Sequence, residues 1–141
     1  MIIISKKKFI GIWKLVSMEN QNVEGKVLEE FNWIGRLRYD EKGYMSVQLM
    51  ELDRPHLENL ESSEEIKQAF EGFMAYYGTY DVDHKENSIT HHLEGSMHPN
   101  YTSLDLKRYF NFFDNKLELK ATLMNENDTE IVWRLIWERL D

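Results

Sequence analysis

The chain has no cysteine among its 141 residues, so neither a disulfide nor a thiolate site can form. No run of apolar residues approaches the roughly 20 that a membrane-spanning helix needs. Positive charge is also scarce, because 17 lysines and arginines stand against 25 aspartates and glutamates, and the formal net charge is −8. A negative surface repels phosphate groups and anionic lipid, so we expect no nucleic acid and no membrane as partners.

The first residues lack the order of a secretory signal. Apolar residues at positions 1–4 precede the lysines at positions 6–8, whereas an export signal places its charges before a longer apolar run. The absence of cysteine suits a reducing compartment. We therefore expect a cytoplasmic protein that folds as one domain over residues 1–141, a length sufficient to bury a core without disulfides.

Most of the chain has the pattern of strands. Short runs of aromatic and β-branched residues alternate with polar residues, and glycine, asparagine and aspartate separate the runs. Turns are predicted at residues 40–43, 84–87, 114–115 and 125–128, the first of which ends in a glycine that can take a positive φ. About eight to ten strands with such short connections predict an all-β protein, either an antiparallel barrel or a sandwich.

One segment, SSEEIKQAFEGFMAYY, instead has the period of a helix. Ser62 and Glu65 have capping-box spacing at its start. An apolar stripe follows at helical spacing, formed by Ile66, Ala69, Phe70, Phe73 and Met74. We predict one amphipathic helix over residues 62–77 that covers the open end of a barrel as a lid. Packing on the outer face of a sheet is the alternative.

Several motifs together resemble a known family. Gly11-Ile12-Trp13 near the start and Arg139 near the end match the G-x-W tryptophan and the late basic residue that close one barrel end in lipocalins and their calycin relatives. More specific are the segments GIWKLVS, IGRLRYDEKGYMSVQLMELDRP, FEGFMAYYGTYDV, ITHHLEGSMHPNY and LIWERL, in that order. With these segments the chain is similar, along nearly its whole length, to the bacterial and fungal lipocalin-like domain family.

The resemblance implies an antiparallel up-and-down β-barrel of about eight to ten strands, with one helix capping it and an internal cavity. It implies much less about activity, because a fold does not carry a function by itself. One departure concerns the mouth of the cavity. Tyr101 follows the HPN turn, where family members often have a tryptophan, and its smaller ring and hydroxyl change the shape and polarity expected there.

The segment ITHHLEGSMHPNY holds three of the five histidines. His91 shares a strand face with Ile89 and Leu93, whereas His92 and Glu94 lie on the opposite face. The apolar neighbours predict that the His91 face points inward. There His91 would be a core histidine satisfied by a hydroxyl or carbonyl, or a group that contacts a ligand or transfers a proton.

The opposite face offers a candidate metal site. His92 and Glu94 lie two residues apart, and His98 could supply a third ligand only if the strand continued that far. Zinc needs three or four such groups that converge, and no metal-ligand spacing motif is present. We therefore predict no metal and no cofactor, and we expect this face to be solvated.

A cationic side chain interrupts a second apolar face. Arg108 alternates in phase with Leu106 and Phe110. A guanidinium among inward apolar residues is costly unless it is paired, either with a buried carboxylate or with the acidic head of a ligand. The alternative is a β-bulge that turns Arg108 outward.

Two functions fit this pattern. The first is binding of a small hydrophobic or amphipathic molecule in an internal cavity, with the helix gating access. The second is an isomerase, cyclase or hydrolase that uses His91 as acid and base and Arg108 to stabilise charge, although no nucleophile elbow or phosphate-binding loop is present. The candidate ligand-contacting residues are His91, Arg108, Tyr44, Tyr76, Tyr80, Tyr101, Leu93, Phe110 and Trp133.

Overall fold

The computed structural model describes residues 6–141, so the apolar residues 1–4 considered above lie outside the described residues. Nine strands make up most of the described chain: β1 Gly11–Gln21, β2 Val27–Phe31, β3 Trp33–Tyr39, β4 Tyr44–Glu51, β5 Phe73–Asp83, β6 Ser88–Ser96, β7 Asp105–Phe113, β8 Lys116–Met124 and β9 Glu130–Arg139. One α-helix, α1 (Ser63–Glu71), lies between β4 and β5. Short 3-10 turns form at Lys6–Lys8 and Pro99–Tyr101.

The strands form one closed antiparallel sheet. They pair in the order β2-β1-β3-β4-β5-β6-β7-β8-β9, and β9 pairs back to β1. β1 pairs with β3 through its first residues and with β2 through its last ones, so β2 and β3 share one strand position on either side of Asn32. The result is an antiparallel barrel with eight strand positions. It confirms the barrel and excludes the sandwich.

Local sequence explains the tight turns. The Asp40 carboxylate accepts hydrogen bonds from the backbone N–H groups of Lys42 and Tyr44, at 2.9 and 2.8 Å, and Gly43 takes a φ of 98° that a glycine adopts without strain. Asp114 and Asn115 both have positive φ, as the two central residues of a type I′ hairpin turn must. All four turns predicted from the sequence are confirmed.

Helix α1 begins after Ser62, as predicted, but ends at Glu71, six residues before the predicted end at residue 77. The Ser62 hydroxyl accepts from the Glu65 N–H at 3.3 Å, and the Gly72 N–H donates to the Gln68 carbonyl at the other end. The prediction that the helix continues to residue 77 is wrong, because β5 begins at Phe73 and its residues 73–79 pair with β4. Within residues 6–141 no helix has the length and apolar character needed to cross a bilayer.

Aromatic packing closes the barrel end that holds the first described residues and the C-terminus. Trp13 is 1% exposed, and its Nε1 donates to the Phe9 carbonyl at 2.9 Å. The Arg139 guanidinium lies 4.3 Å from the centre of the Trp13 ring and donates to the Ile10 carbonyl at 2.7 Å. This is the pairing of tryptophan and late basic residue that the family resemblance implies.

Phe9 fills the space above this closure. Its fully buried ring meets Tyr39, Phe110 and Phe112 edge-on, at centroid distances of 5.7, 4.9 and 4.9 Å. Edge-to-face contacts are a favoured geometry for aromatic pairs. We call this region the packed half of the barrel; it consists of Phe9, Trp13, Tyr39, Tyr80, Ile89, Phe110, Phe112 and Leu117.

Candidate ligand cavity

The other half of the barrel encloses a cavity of about 510 Å³. Its walls are formed by apolar side chains from many strands, such as Leu49, Met74 and Trp133. Leu104 and Leu123 lie at strand ends on its rim and are 43% and 52% exposed, so the cavity reaches solvent at the barrel end that carries α1. We call this region the hollow half.

Five of the nine candidate residues line the cavity, namely His91, Arg108, Tyr76, Tyr101 and Trp133. They come from four different strands and from the 3-10 turn after β6. The barrel therefore brings together side chains that lie up to 57 positions apart in the sequence, from Tyr76 to Trp133.

The other four candidates do not line the cavity. Tyr44 is 54% exposed on the outer surface, because Met45 and Val47 occupy the inward positions of β4. Tyr80 and Phe110 do face inward but lie in the packed half, where the Tyr80 hydroxyl donates to the Asp40 carbonyl at 2.6 Å. Leu93 is also buried in the core without bordering the cavity.

His91 is held between two tyrosines. Its Nε2 lies 2.6 Å from the hydroxyl of Tyr39 on β3, and its Nδ1 lies 2.7 Å from the hydroxyl of Tyr76 on β5. The side chain faces the interior, as the strand pattern predicted, and is 2% exposed. A neutral imidazole has one donor and one acceptor nitrogen, so one phenol donates to His91 and the other accepts from it.

Burial fixes the protonation of this cluster. It is the main cause that lowers the pKa of His91 to about 3, and the charges of Arg108 and His92 act in the same direction. Burial also raises the pKa of Tyr39 well above its usual value, and it raises that of Tyr76 against the opposing charge and hydrogen bonding of Arg108. At neutral pH the cluster therefore consists of a neutral imidazole and two protonated phenols.

Arg108 points into the hollow half. The pairing of β6 with β7 continues through Ile89 and Arg108 without a register shift, so the bulge considered as an alternative is not found there. The guanidinium donates to the Lys107 carbonyl at 3.3 Å, and its hydrogen bonding to the Tyr76 hydroxyl opposes the rise in the pKa of that phenol. No carboxylate of the described chain forms an ion pair with it, and no other lining residue is charged.

His92, the neighbour of His91, lies on the outer face. Its Nδ1 is 2.7 Å from an Asp105 oxygen and its Nε2 is 2.8 Å from an Asp81 oxygen. The hydrogen bond with Asp105 is the main cause that raises the pKa of His92, and Asp81 adds to it. Among the described residues no group of three or more histidine and carboxylate side chains is arranged to hold a metal ion.

Helix α1 contacts the rim of the cavity through an aromatic series. The Phe70 ring lies 5.5 Å from His98, and His98 stacks on Tyr101 at 4.4 Å. No residue of α1 lines the cavity, and Ile66 and Phe70 are 47% and 40% exposed. The helix thus stands at the open end of the barrel, in contact with its rim.

Sequence reasoning missed Tyr39, which completes the His91 cluster. Its alternation in phase with Leu37 marked an inward position, but only the closed barrel brings β3 next to His91. Met74 fits the helical stripe in the sequence, but the prediction of a helix there is wrong, since Met74 lies in β5 and forms part of the cavity wall.

Comparison with known proteins identified a matching family and a distantly similar solved structure. No curated protein matches the chain. Among solved structures, an odorant binding protein (OBP1) matches with 13% sequence identity and a TM-score of 0.48, over 100% of this chain and 78% of the other. Residues 10–140 match the lipocalin-like domain family. The chain therefore belongs to the lipocalin-like domain family.

Proposed function

We propose that this protein binds a small hydrophobic or amphipathic molecule inside the hollow half of its barrel. The observation that carries the proposal is the cavity of about 510 Å³ with predominantly apolar walls. Ligand pockets of proteins commonly have about 300–1,000 Å³ and a few polar groups that fix orientation. Membership of the lipocalin-like family supports binding of a small molecule in general terms only.

Desolvation would supply most of the binding free energy. Removing about 200 Å² of apolar ligand surface from water is worth about 5 kcal/mol, from which the loss of ligand freedom must be subtracted. Trp33, Met74 and Trp133 offer broad surfaces for such contacts. The single polar region, around His91, Tyr76 and Arg108, would orient the ligand rather than dominate its affinity.

Acid and base catalysis by His91 is the alternative, and its geometry favours binding instead. Both ring nitrogens already have phenol partners, at 2.6 and 2.7 Å. A base with a pKa of about 3 is also poorly matched to proton transfer near neutral pH. A substrate could exchange a proton with His91 only after Tyr76 moved away, so we propose a positioning role for this histidine.

A change of cavity volume tests the binding proposal. Ala121 lines the cavity, whereas the adjacent Thr122 is exposed on the outer face of β8. We expect Ala121→Phe to weaken binding of the neutral fluorescent probe N-phenyl-1-naphthylamine about tenfold, because an added ring occupies ligand space. Thr122→Phe, the matched control, should bind the probe as the unmodified protein does.

The titration follows probe emission, and circular dichroism verifies that both variants are folded. Energy transfer from the cavity tryptophans, Trp33, Trp133 and Trp137, locates the bound probe. Absence of saturable binding to the unmodified protein, or equal affinities of the two variants, would refute the proposal.

A further inference from the structure

We infer that the ligand bound in the hollow half carries an anionic head group, such as a carboxylate, which accepts hydrogen bonds from Arg108 and Tyr76. The inference rests on the proposed binding function. It adds the chemical class of the ligand and the end of the cavity at which its head lies.

The first argument is the uncompensated charge of Arg108. This guanidinium is the one charged group of the lining, and its hydrogen bonds within the described chain go to uncharged groups, the Lys107 carbonyl and the Tyr76 hydroxyl. By contrast, the half-buried Arg134 pairs with two carboxylates, those of Glu19 and Glu118. A guanidinium beside apolar surface is costly unless it is paired, and an anionic ligand would pair it.

The second argument is the direction of the hydrogen bonds through His91. Tyr39 is 1% exposed, and His91 is the only hydrogen-bond partner of its hydroxyl within residues 6–141. If His91 donated to Tyr39, the phenolic proton of Tyr39 would be buried without an acceptor, which is costly. Tyr39 therefore donates to Nε2. Balance of donors and acceptors then assigns the imidazole proton to Nδ1, which donates to the oxygen of Tyr76.

This direction leaves the proton of Tyr76 for the cavity. The Tyr76 oxygen already accepts from His91, and its side chain borders the cavity beside Arg108. The O–H group can rotate toward a ligand and donate. The polar region consequently presents donors from both Arg108 and Tyr76, and no lining carboxylate competes for them.

The two donors differ in charge, because Arg108 is a permanent cation and Tyr76 is a neutral phenol. A set of donors that includes a permanent cation selects a group with several acceptor sites and negative charge. A carboxylate fits this description, a neutral alcohol fits it in part, and an ammonium group is repelled.

Three amphiphiles with the same tail test the inference: decanoate, decanol and decylamine. Each is titrated near neutral pH against protein that holds the neutral probe N-phenyl-1-naphthylamine. We expect decanoate to displace the probe at about ten- to a hundredfold lower concentration than decanol, because hydrogen bonds to charged groups exceed neutral ones by this much. Decylamine should be the weakest competitor.

Two methionine substitutions on β7 supply a matched pair. Arg108→Met removes the inward cation, and Lys107→Met removes the same charge from the outer face, where Lys107 pairs with Glu86 at 2.5 Å. Arg108→Met should bring decanoate and decanol to within about threefold of each other, with each displacement referred to the affinity of that variant for the probe. Lys107→Met should keep the full preference. Tyr76→Phe should lower the preference severalfold.

The outcomes separate this inference from the proposed function. If the probe binds but the three amphiphiles displace it equally, or if Arg108→Met retains the preference for decanoate, the anionic head group is excluded while the cavity remains a binding site. If the probe does not bind the unmodified protein, the proposed function fails, and the inference fails with it.

Discussion

The packed and hollow halves of the barrel are built from the same strands yet have opposite interiors. On β7, Phe110 and Phe112 fill the packed half, whereas Leu106 and Arg108 border the cavity. The pairing of β7 with β8 is regular across the packed half, and that of β6 with β7 is regular beside the cavity. The two halves differ in what enters each end of the barrel and in the size of the inward side chains.

Phe9 accounts for much of this difference. It precedes β1, is fully buried, and contacts three rings contributed by β3 and β7. At the other end, α1 contacts the rim through Phe70 and His98 but contributes no residue to the cavity lining. A chain segment inserted from outside the sheet thus fills one half, and the lack of such an insert keeps the other half open among the described residues.

Replacing one phenylalanine of each half by alanine tests this comparison with the largest expected effect. We expect Phe9→Ala to lower the free energy of unfolding by about 3–5 kcal/mol, because it leaves a void in close-packed surroundings. Phe31 lines the cavity and stacks on Trp133 at 5.0 Å, so its ring lacks partners on the cavity side. Phe31→Ala should cost about 1–2 kcal/mol. Urea unfolding measures both, and equal losses would show that the halves are packed alike.

His91 joins the two halves, because Tyr39 belongs to the packed half and Tyr76 to the cavity wall. The unfolded chain protonates this histidine below about pH 6.5, but the folded protein does so only near its lowered pKa of about 3. Between these pH values the unfolded state binds more protons, so the free energy of unfolding decreases as the pH falls. Above pH 6.5, His91 is neutral in both states and adds no pH dependence to the free energy of unfolding.

Replacement of His91 isolates its contribution to the pH dependence of stability. From about pH 7.5 to about pH 4.5, the unmodified protein should lose about 2.5 kcal/mol more than His91→Gln, in which the titrating group is absent. The aspartates and the other histidines are common to both proteins, so their contributions cancel. Urea unfolding across this range provides the measurement, and parallel pH profiles would mean that His91 is accessible to protons in the folded state.

The comparison of the halves also separates what the sequence predicted from what it did not. Alternation is a local property, and it placed His91 and Arg108 on inward faces. Depth along the barrel is not local, since it depends on strand stagger and on the insertion of Phe9. For that reason Tyr80 and Phe110 were grouped with Tyr76 as ligand contacts although they lie in the packed half.

Non-local pairing explains the other errors. Phe70, Phe73 and Met74 fit a helical stripe, but pairing with β4 starts at Phe73 and ends the helix first. Tyr44 lies on a hairpin whose two faces carry similar residues, so its sequence did not determine which face was buried. The strands and turns were predictable because strand periods and turn residues are encoded locally, whereas the choice of a barrel over a sandwich came from the family resemblance.

The smallest expected effect concerns His92, whose ring lies on the outer face of the barrel, whereas the ring of His91 lies inside. Asp105 and Asp81 raise the pKa of His92, so protonated His92 stabilises the folded state. This contribution to the free energy of unfolding is fully present below about pH 6.5 and is lost as the pH rises through the raised pKa. The contribution of His91 has the opposite pH dependence. It should amount to less than about 1 kcal/mol, because solvent screens a partly exposed pair.

Asp105→Asn should lower the pKa of His92, as measured by NMR titration of the ring protons, and leave His91 neutral. A pKa of His92 that does not respond would show that the aspartate contact is not maintained in solution.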